Sequence, residues 1–245
     1  VARTLIVGDI HGCTEEFDEL LLALAYQPGR DRLVLVGDLV ARGPDSRGVI
    51  DRAMEYHAES VRGNHDERVL QWWRAQRRHG RKEADRTVKL GEQHRQVVEA
   101  LDRTHFDWLE ACPLVLSLPE HGAVVVHAGV DPALGPYESP PKTLLTVRSI
   151  DASGHVTHKL QGVPWASRWR GPEHLVFGHD ARRGLQLAPK ATGIDTGCVY
   201  GRDLSALVLE AGQRIPDDPR HRHLLITRVP AHTTYCQPNA GESTE

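Results

Sequence analysis

Along the first half of the chain, short wholly apolar runs alternate with amphipathic stretches. Leu5-Ile6-Val7 reads as a buried strand that stops at Gly8-Asp9. Glu15 to Ala25 places Phe17, Leu20, Leu21 and Leu24 three and four residues apart, the spacing of one helical face. Leu33-Val34-Leu35-Val36 is a second strand and again stops at Gly37-Asp38. Pro44 to Ala58 opens with Pro, Asp and Ser, which suit a helix start, and Val61-Arg62 reads as a short third strand before Gly63-Asn64-His65-Asp66. Strand, helix, strand, helix, strand predicts βαβ units and a largely parallel sheet, an α/β fold. From Glu67 to Cys112 the pattern is helical throughout, with Thr104 placed to cap the last helix. The second half is strand-rich, at Leu114–Leu118, Ala123–His127, Leu175–Gly178, Ala191–Asp195, Leu204–Glu210 and Leu224–Thr227. No composition break marks a linker. The economical division is one domain over 1–229, with a helical lid at about 67–112, followed by a polar, turn-rich stretch over 230–245 that reads as a flexible tail.

Composition narrows the class without naming a chemistry. The 245 residues are 40% hydrophobic and 26% charged, ordinary for a globular chain that buries a sizeable core. Thirty basic against thirty-three acidic residues leave −3, so no global charge points to duplex nucleic acid. The four cysteines are far apart with no Cys-x-x-Cys, which argues against a disulfide framework or a zinc ribbon. No apolar run approaches a membrane span and the first residues lack the shape of a signal peptide, so the expectation is a cytoplasmic protein. Two features stand out. One is a net +6 over Arg68–Arg95, either a solvated helix face or an anion-facing lid. The other is fifteen histidines, a few of which are placed rather than scattered.

The placed ones follow strands. Gly8-Asp9-Ile10-His11-Gly12, Gly37-Asp38, Gly63-Asn64-His65-Asp66, His127-Ala128-Gly129 and Gly178-His179 each end an apolar run with a small residue beside a metal-type ligand. In open α/β sheets, ligands bind beyond the carboxyl ends of strands, so these residues converge on one rim. Mixed imidazole, carboxylate and amide donors suit Mn, Fe, Zn or Co rather than Ca. There are too many ligands for one open ion and about enough for two, the usual arrangement for phosphate-ester hydrolysis. Read singly, each piece is weak: Asn and Asp favour turns for backbone reasons, and a lone strand-end histidine is more often a core residue. The ordered set is the signal. His57, His79, His221 and His223 have no such context and read as surface residues.

These motifs, spread over roughly Thr4 to Tyr200, resemble the ordered set of the calcineurin-like metallophosphoesterases, in the branch that contains the PPP-type serine/threonine phosphatases. The resemblance implies a β-sandwich flanked by helices, with two divalent metal ions at one edge, Mn first among the candidates. By position, Asp9, His11 and Asp38 would hold the first ion, Asp38 would bridge, and Asn64, His127 and His179 would hold the second. A water bridging two dications loses a proton near neutral pH and becomes the in-line nucleophile. Arg42 would fork onto phosphoryl oxygens, His65 would protonate the leaving oxygen, and Asp66 would orient the His65 ring.

One departure bears on substrate. Protein phosphatases of this branch carry Asp where this chain has Ala41, and that Asp supports the catalytic histidine. A weakly supported acid suits a leaving nucleotide phosphate, whose own pKa is roughly 6, better than a seryl alkoxide. Gly37–Pro44 resembles the corresponding stretch of the bacterial symmetrical diadenosine tetraphosphatases, which also have Ala there. Thr146-Val147-Arg148 and Ile194–Gly201 are similar to two later segments of that group, making Arg148 a second phosphate clamp and Tyr200 the counterpart of its Trp. The expected reaction is therefore cleavage of dinucleoside polyphosphates, Ap4A to two ADP. The alternative is a protein serine/threonine phosphatase acting on phosphoprotein. Capped-RNA hydrolysis is a minor third, and a non-catalytic phosphate-binding module is the reading from another class. Trp72, Trp73, Trp165 and Trp169 are either adenine-stacking faces or core.

Overall fold

The computed structural model describes residues 2–237. Two five-stranded sheets lie face to face. The first runs in the order β13-β12-β1-β2-β3, with β1 Thr4–Val7, β2 Arg32–Leu35, β3 Glu59–Ser60, β12 Asp203–Leu209 and β13 Ile226–Pro230. The second runs β10-β11-β9-β5-β4, with β4 Val115–Leu118, β5 Ala123–Val126, β9 His174–Phe177, β10 Gln186–Ala188 and β11 Ala191–Gly193. A small antiparallel sheet of β6 (Ser149–Ile150), β7 (Val156–Thr157) and β8 (Val163–Pro164) stands beside the second.

The expected largely parallel sheet is only half right. β1, β2 and β3 are parallel, but β12 closes onto β1 antiparallel, and the later strands build a sheet of their own around parallel β5, β9 and β11. The reason is burial on both faces of each strand. Leu5, Val7, Leu33 and Leu35 face a helical layer, whereas Ile6, Val34, Val125, Val176 and Leu207 meet between the sheets. Val124, Val126, Leu175 and Phe177 fill a third layer with Trp165 and Trp169.

On the outer face of the first sheet lie α1 (Thr14–Ala23) and α2 (Ser46–Glu55). The insertion comprises α3 (Asn64–His79), α4 (Arg81–Thr87), α5 (Glu92–Ala100) and α6 (Arg103–Ala111); α7 (Pro141–Thr146) and α8 (Pro219–His223) are short. Asp102, not Thr104, caps α6: its carboxylate accepts the Thr104 amide at 2.9 Å. The third strand sits two residues earlier than Val61-Arg62, although the Val61 amide still donates to Leu35 O. Of the tail expected over 230–245, residues 238–245 lie outside the described residues. The part before them packs back: the Tyr235 amide donates to Val199 O, and its hydroxyl donates to Glu16, a fully buried carboxylate, at 2.8 Å. No helix among the described residues is long and apolar enough to cross a membrane.

Candidate metal centre

Asp9 and His11 follow β1, Asp38 follows β2, Asn64 and His65 open α3 just after β3, His127 follows β5 and His179 follows β9. Strand ends from both sheets thus deliver every expected ligand to one rim. The turns there are strained. His11, Asp38, Ala41, Arg42 and His179 have φ of 50°, 52°, 66°, 73° and 67°, in the left-handed region that L side chains rarely adopt. Cross-bonds hold them so: the His11 amide donates to Asp38 O at 2.8 Å and the Gly12 amide to Leu39 O at 2.9 Å. Gly63 allows the third turn to close in, because a Cβ there would lie 2.1 Å from the Asp38 backbone nitrogen.

The imidazoles are aimed by backbone carbonyls. His11 Nδ1 donates to Val40 O at 3.0 Å and His127 Nδ1 to Val36 O at 2.9 Å, which turns each Nε2 towards Asp38. His11 Nε2 then points at Asp38 Oδ2, 3.5 Å away. His127 Nε2 faces Asn64 Oδ1 at 3.0 Å and Asp38 Oδ2 at 3.5 Å; burial works against its charged form, but Asp38 beside it holds the imidazole above its ordinary value, with a proton where a cation would sit. His179 Nδ1 also meets Asn64 Oδ1, at 2.9 Å, and its Nε2 is buried without a hydrogen-bond partner. The residues form two trios sharing one carboxylate, His11–Asp38–His65 and Asp38–His127–His179, with ligand atoms in each within 4.8 Å of one another. Converging lone pairs and an orphaned imidazole nitrogen are what small divalent cations satisfy, and the donor types suit Mn, Fe, Zn or Co. Asp9 belongs to neither trio: both of its carboxylate oxygens accept the His179 amide at 3.1 Å.

The electrostatics agree. Burial pushes the Asp9 carboxyl well above the carboxylate range, and the charges of Asp195 and Asp38 add to it. Burial, with Asp38 beside it, pushes Asp66 up to about 6, and burial likewise takes Asp195 to about 6. Burial also works against ionisation of Asp38, but His127, His65 and His11 around it hold it well below the usual range. Burial drives His11 down to about 4 and His65 and His179 well below 6.5, so these rings are neutral near neutral pH, as metal ligands must be. Four buried carboxylates, Asp9, Asp38, Asp66 and Asp195, gather at this rim, and a cation there would offset the cost of ionising them.

The structure brings Arg42, His65 and Tyr200 together. Arg42 Nε and Nη2 lie 3.2 and 3.1 Å from His65 Nε2, Nη1 bonds the Tyr200 hydroxyl, and the guanidinium stands 5.5 Å from the Tyr200 ring centre. Arg148 bonds His158 O, and its charge reaches His179, where it adds to burial in lowering that imidazole. Arg183 ties this corner down through Asp180, Ser149 Oγ and the carbonyls of Arg148 and Leu160.

Asp66 does not touch the His65 ring. Its carboxylate accepts the backbone amides of Asp38, Leu39, Val40 and Gly63 at 2.9–3.3 Å and so clamps the turns that carry Asp38 and Asn64. The ring is met instead by His94, a residue to which the sequence assigned no role: His65 Nδ1 lies 2.9 Å from His94 Nε2, with the rings parallel to 7°. Asp195 is a second such residue, buried beside the ligands in the Asp-Thr-Gly turn. The tryptophans are not stacking faces. Trp72, Trp165 and Trp169 are buried, their indoles bonded to Asp85, Ala128 O and Glu173 O, and Trp73 stacks on Phe106 with ring centres 4.4 Å apart. The basic run of the insertion meets acidic neighbours, Arg74 with Glu67 and Glu110, Arg81 with Glu99.

A two-sheet sandwich with histidines, aspartates and an asparagine at its strand ends defines a metal-dependent phosphoesterase. The family comparison agrees: residues 2–202 match the calcineurin-like phosphoesterase family, and the chain belongs to it. That family is one of hydrolases that use divalent metals. An asymmetrical bis(5'-nucleosyl)-tetraphosphatase of Anoxybacillus flavithermus is 32% identical, with 82% of this chain and 88% of that one covered. A symmetrical bis(5'-nucleosyl)-tetraphosphatase of Chromohalobacter salexigens is 31% identical, with 86% and 96% covered. A crystal structure of a protein provisionally named a diadenosine tetraphosphatase superposes with a TM-score of 0.78 at 36% identity, covering 94% of each chain.

Proposed function

We propose that the protein hydrolyses dinucleoside polyphosphates and splits Ap4A into two ADP, with two divalent cations, Mn first among them. The observation that carries this reading is the surroundings of His65: its ring nitrogens are taken by Arg42 and His94, and Ala41 stands where protein phosphatases place a supporting carboxylate. Relatives named tetraphosphatases, similar over more than four fifths of the chain, support the dinucleoside polyphosphate substrate, and the one named symmetrical supports the cut to two ADP.

Asp9, His11 and Asp38 would hold one cation, and Asn64, His127 and His179 the other, with Asp38 shared. When bound, such ions supply Lewis acidity, polarising water and offsetting phosphoryl charge. Arg42 leaves His65 Nε2 for the phosphate and binds two of its oxygens in a fork. Tyr200 guides that guanidinium, and Arg148 holds the phosphate chain at the His179 side. Water adds to phosphorus as the bond to the leaving phosphate breaks and gives up its proton to solvent; His65 Nε2, vacated by Arg42, takes a proton from solvent beside the phosphate and passes it to the departing oxygen. With a leaving phosphate of pKa roughly 6, little of that proton is needed.

The test is product analysis with Mn and Ap4A. ADP as sole nucleotide product is expected. AMP with ATP would move the cut to the position that the asymmetrical relatives' name describes. Faster turnover of a phosphoserine peptide than of Ap4A would replace this reading with the protein-phosphatase one.

A further inference from the structure

His94 stands on α5, inside the helical insertion, yet its ring meets the centre of the site. Val97 and Val98, three and four residues on, are buried in the helical layer and share its face of the helix. They seat α5 so that His94 Nε2 lies 2.9 Å from His65 Nδ1, with the rings parallel to 7° and their centres 4.9 Å apart. On the other side of His65, Arg42 places Nε and Nη2 3.2 and 3.1 Å from Nε2. A guanidinium only donates, so His65 Nε2 accepts, Nδ1 carries the proton, and His94 Nε2 receives it. One tautomer and one ring orientation follow.

We infer that His94 is a positioning residue for His65, occupying with a neutral imidazole the supporting role that a carboxylate plays in protein phosphatases of this fold. The inference rests on the proposed role of His65 as proton donor and deepens it. An imidazole acceptor orients the ring as a carboxylate would but adds no negative charge beside it. That is support enough for a leaving phosphate and too little for an alkoxide, so His94 with Ala41 sets the substrate class towards phosphoanhydrides. It also makes the helical insertion a working part of the site.

The experiment compares wild type, His94→Ala, His94→Asn and the double variant His94→Ala/Ala41→Asp, all loaded with Mn, on Ap4A. Asp is among the residues most tolerant of the left-handed conformation at position 41, where φ is 66°. His94→Ala is expected to lower kcat about ten-fold or more with KM nearly unchanged, as part of the 10²–10⁴-fold that a positioned acid contributes. Added imidazole or the Ala41→Asp replacement should recover kcat, and His94→Asn should fall between. In Zn-loaded protein, ¹⁵N histidine spectra should show the proton on His65 Nδ1 in wild type and a mixture of tautomers in His94→Ala. Unchanged kcat in His94→Ala overturns the inference. So does a loss that neither imidazole nor Ala41→Asp relieves, accompanied by an unaltered His65 tautomer. Wild type that turns over no phosphoester with Mn would instead overturn the hydrolase reading, and the inference with it.

Discussion

Replacing Gly63 by Ala should displace Asp38, the proposed shared metal ligand, without substituting it. The backbone at Gly63 has φ −90°, which alanine adopts freely, so the perturbation is the methyl group alone. Its carbon would lie 2.1 Å from the Asp38 backbone nitrogen, 2.1 Å from Asp38 Oδ1 and 2.8 Å from Asp38 Cα, where ordinary contact begins at 3.4 Å. The overlap exceeds an ångström and falls on backbone, so the Asp38 turn has to move. Overpacking of this kind costs about 1–3 kcal/mol. The His65 amide bond to Asp38 Oδ1, now 2.9 Å, is lost as well. A hydrogen bond to a charged group is worth about 1.5–3 kcal/mol, so the whole loss is about 2.5–6 kcal/mol. Displacing the shared ligand by an ångström should reduce kcat/KM on the order of 10²-fold. Urea unfolding of the metal-free protein gives the first number, and bound Mn with Ap4A turnover gives the second. A variant that keeps wild-type Mn content and an unchanged urea midpoint would refute the close approach of the two turns.

Asp195→Asn should separate from wild type with pH. Burial raises the Asp195 carboxyl from 3.8 to about 6 in the fold, so its contribution is fully present below about 4 and is lost as pH rises through about 6. Between pH 4 and 7 the metal-free variant should therefore improve on wild type by about 3 kcal/mol in urea unfolding, and a pH-independent difference would contradict the burial of that charge. Tyr235→Phe removes the 2.8 Å bond to buried Glu16 and should lower stability by about 1–3 kcal/mol with kcat unchanged; an unshifted urea midpoint would show that the 231–237 segment is not anchored there. Arg77→Ala and Arg81→Ala should leave KM for Ap4A within about two-fold, since both guanidinia are exposed and meet Asp107 and Glu99; a ten-fold rise would bring the insertion's charge to the polyphosphate.

The strands and the turns of the candidate site were legible because apolar runs end in Gly beside a metal-type side chain, and local sequence carries that pattern. Asp9, His11, Asp38, Asn64, His127 and His179 could all be picked out from it as candidate ligands, and the fold gathers them at one rim. What lay beyond reach depends on distant partners. His94 meets His65 across 29 residues, at a helix position that looks like any exposed polar one. Asp66 sits beside His65 in the chain, but the helix start turns its carboxylate towards four backbone amides instead. The tryptophans were ambiguous because a large aromatic serves a core and a binding face equally well, and only the packing of Trp165 on Phe177 or of Trp73 on Phe106 decides. Likewise, the polar composition after Pro230 hid the bonds of Tyr235 and His232 to Glu16.

Titrating Mn into metal-free protein while following Ap4A hydrolysis is the most direct test of the two-cation phosphohydrolase proposed for this site. Wild type should bind two equivalents, and ADP formation should rise with the second. Asp38→Asn, with half the shared charge removed, should bind at most one and lose nearly all turnover while remaining folded. Two equivalents and full turnover in Asp38→Asn, or Ap4A hydrolysis by wild type that persists without any divalent ion, would contradict the account.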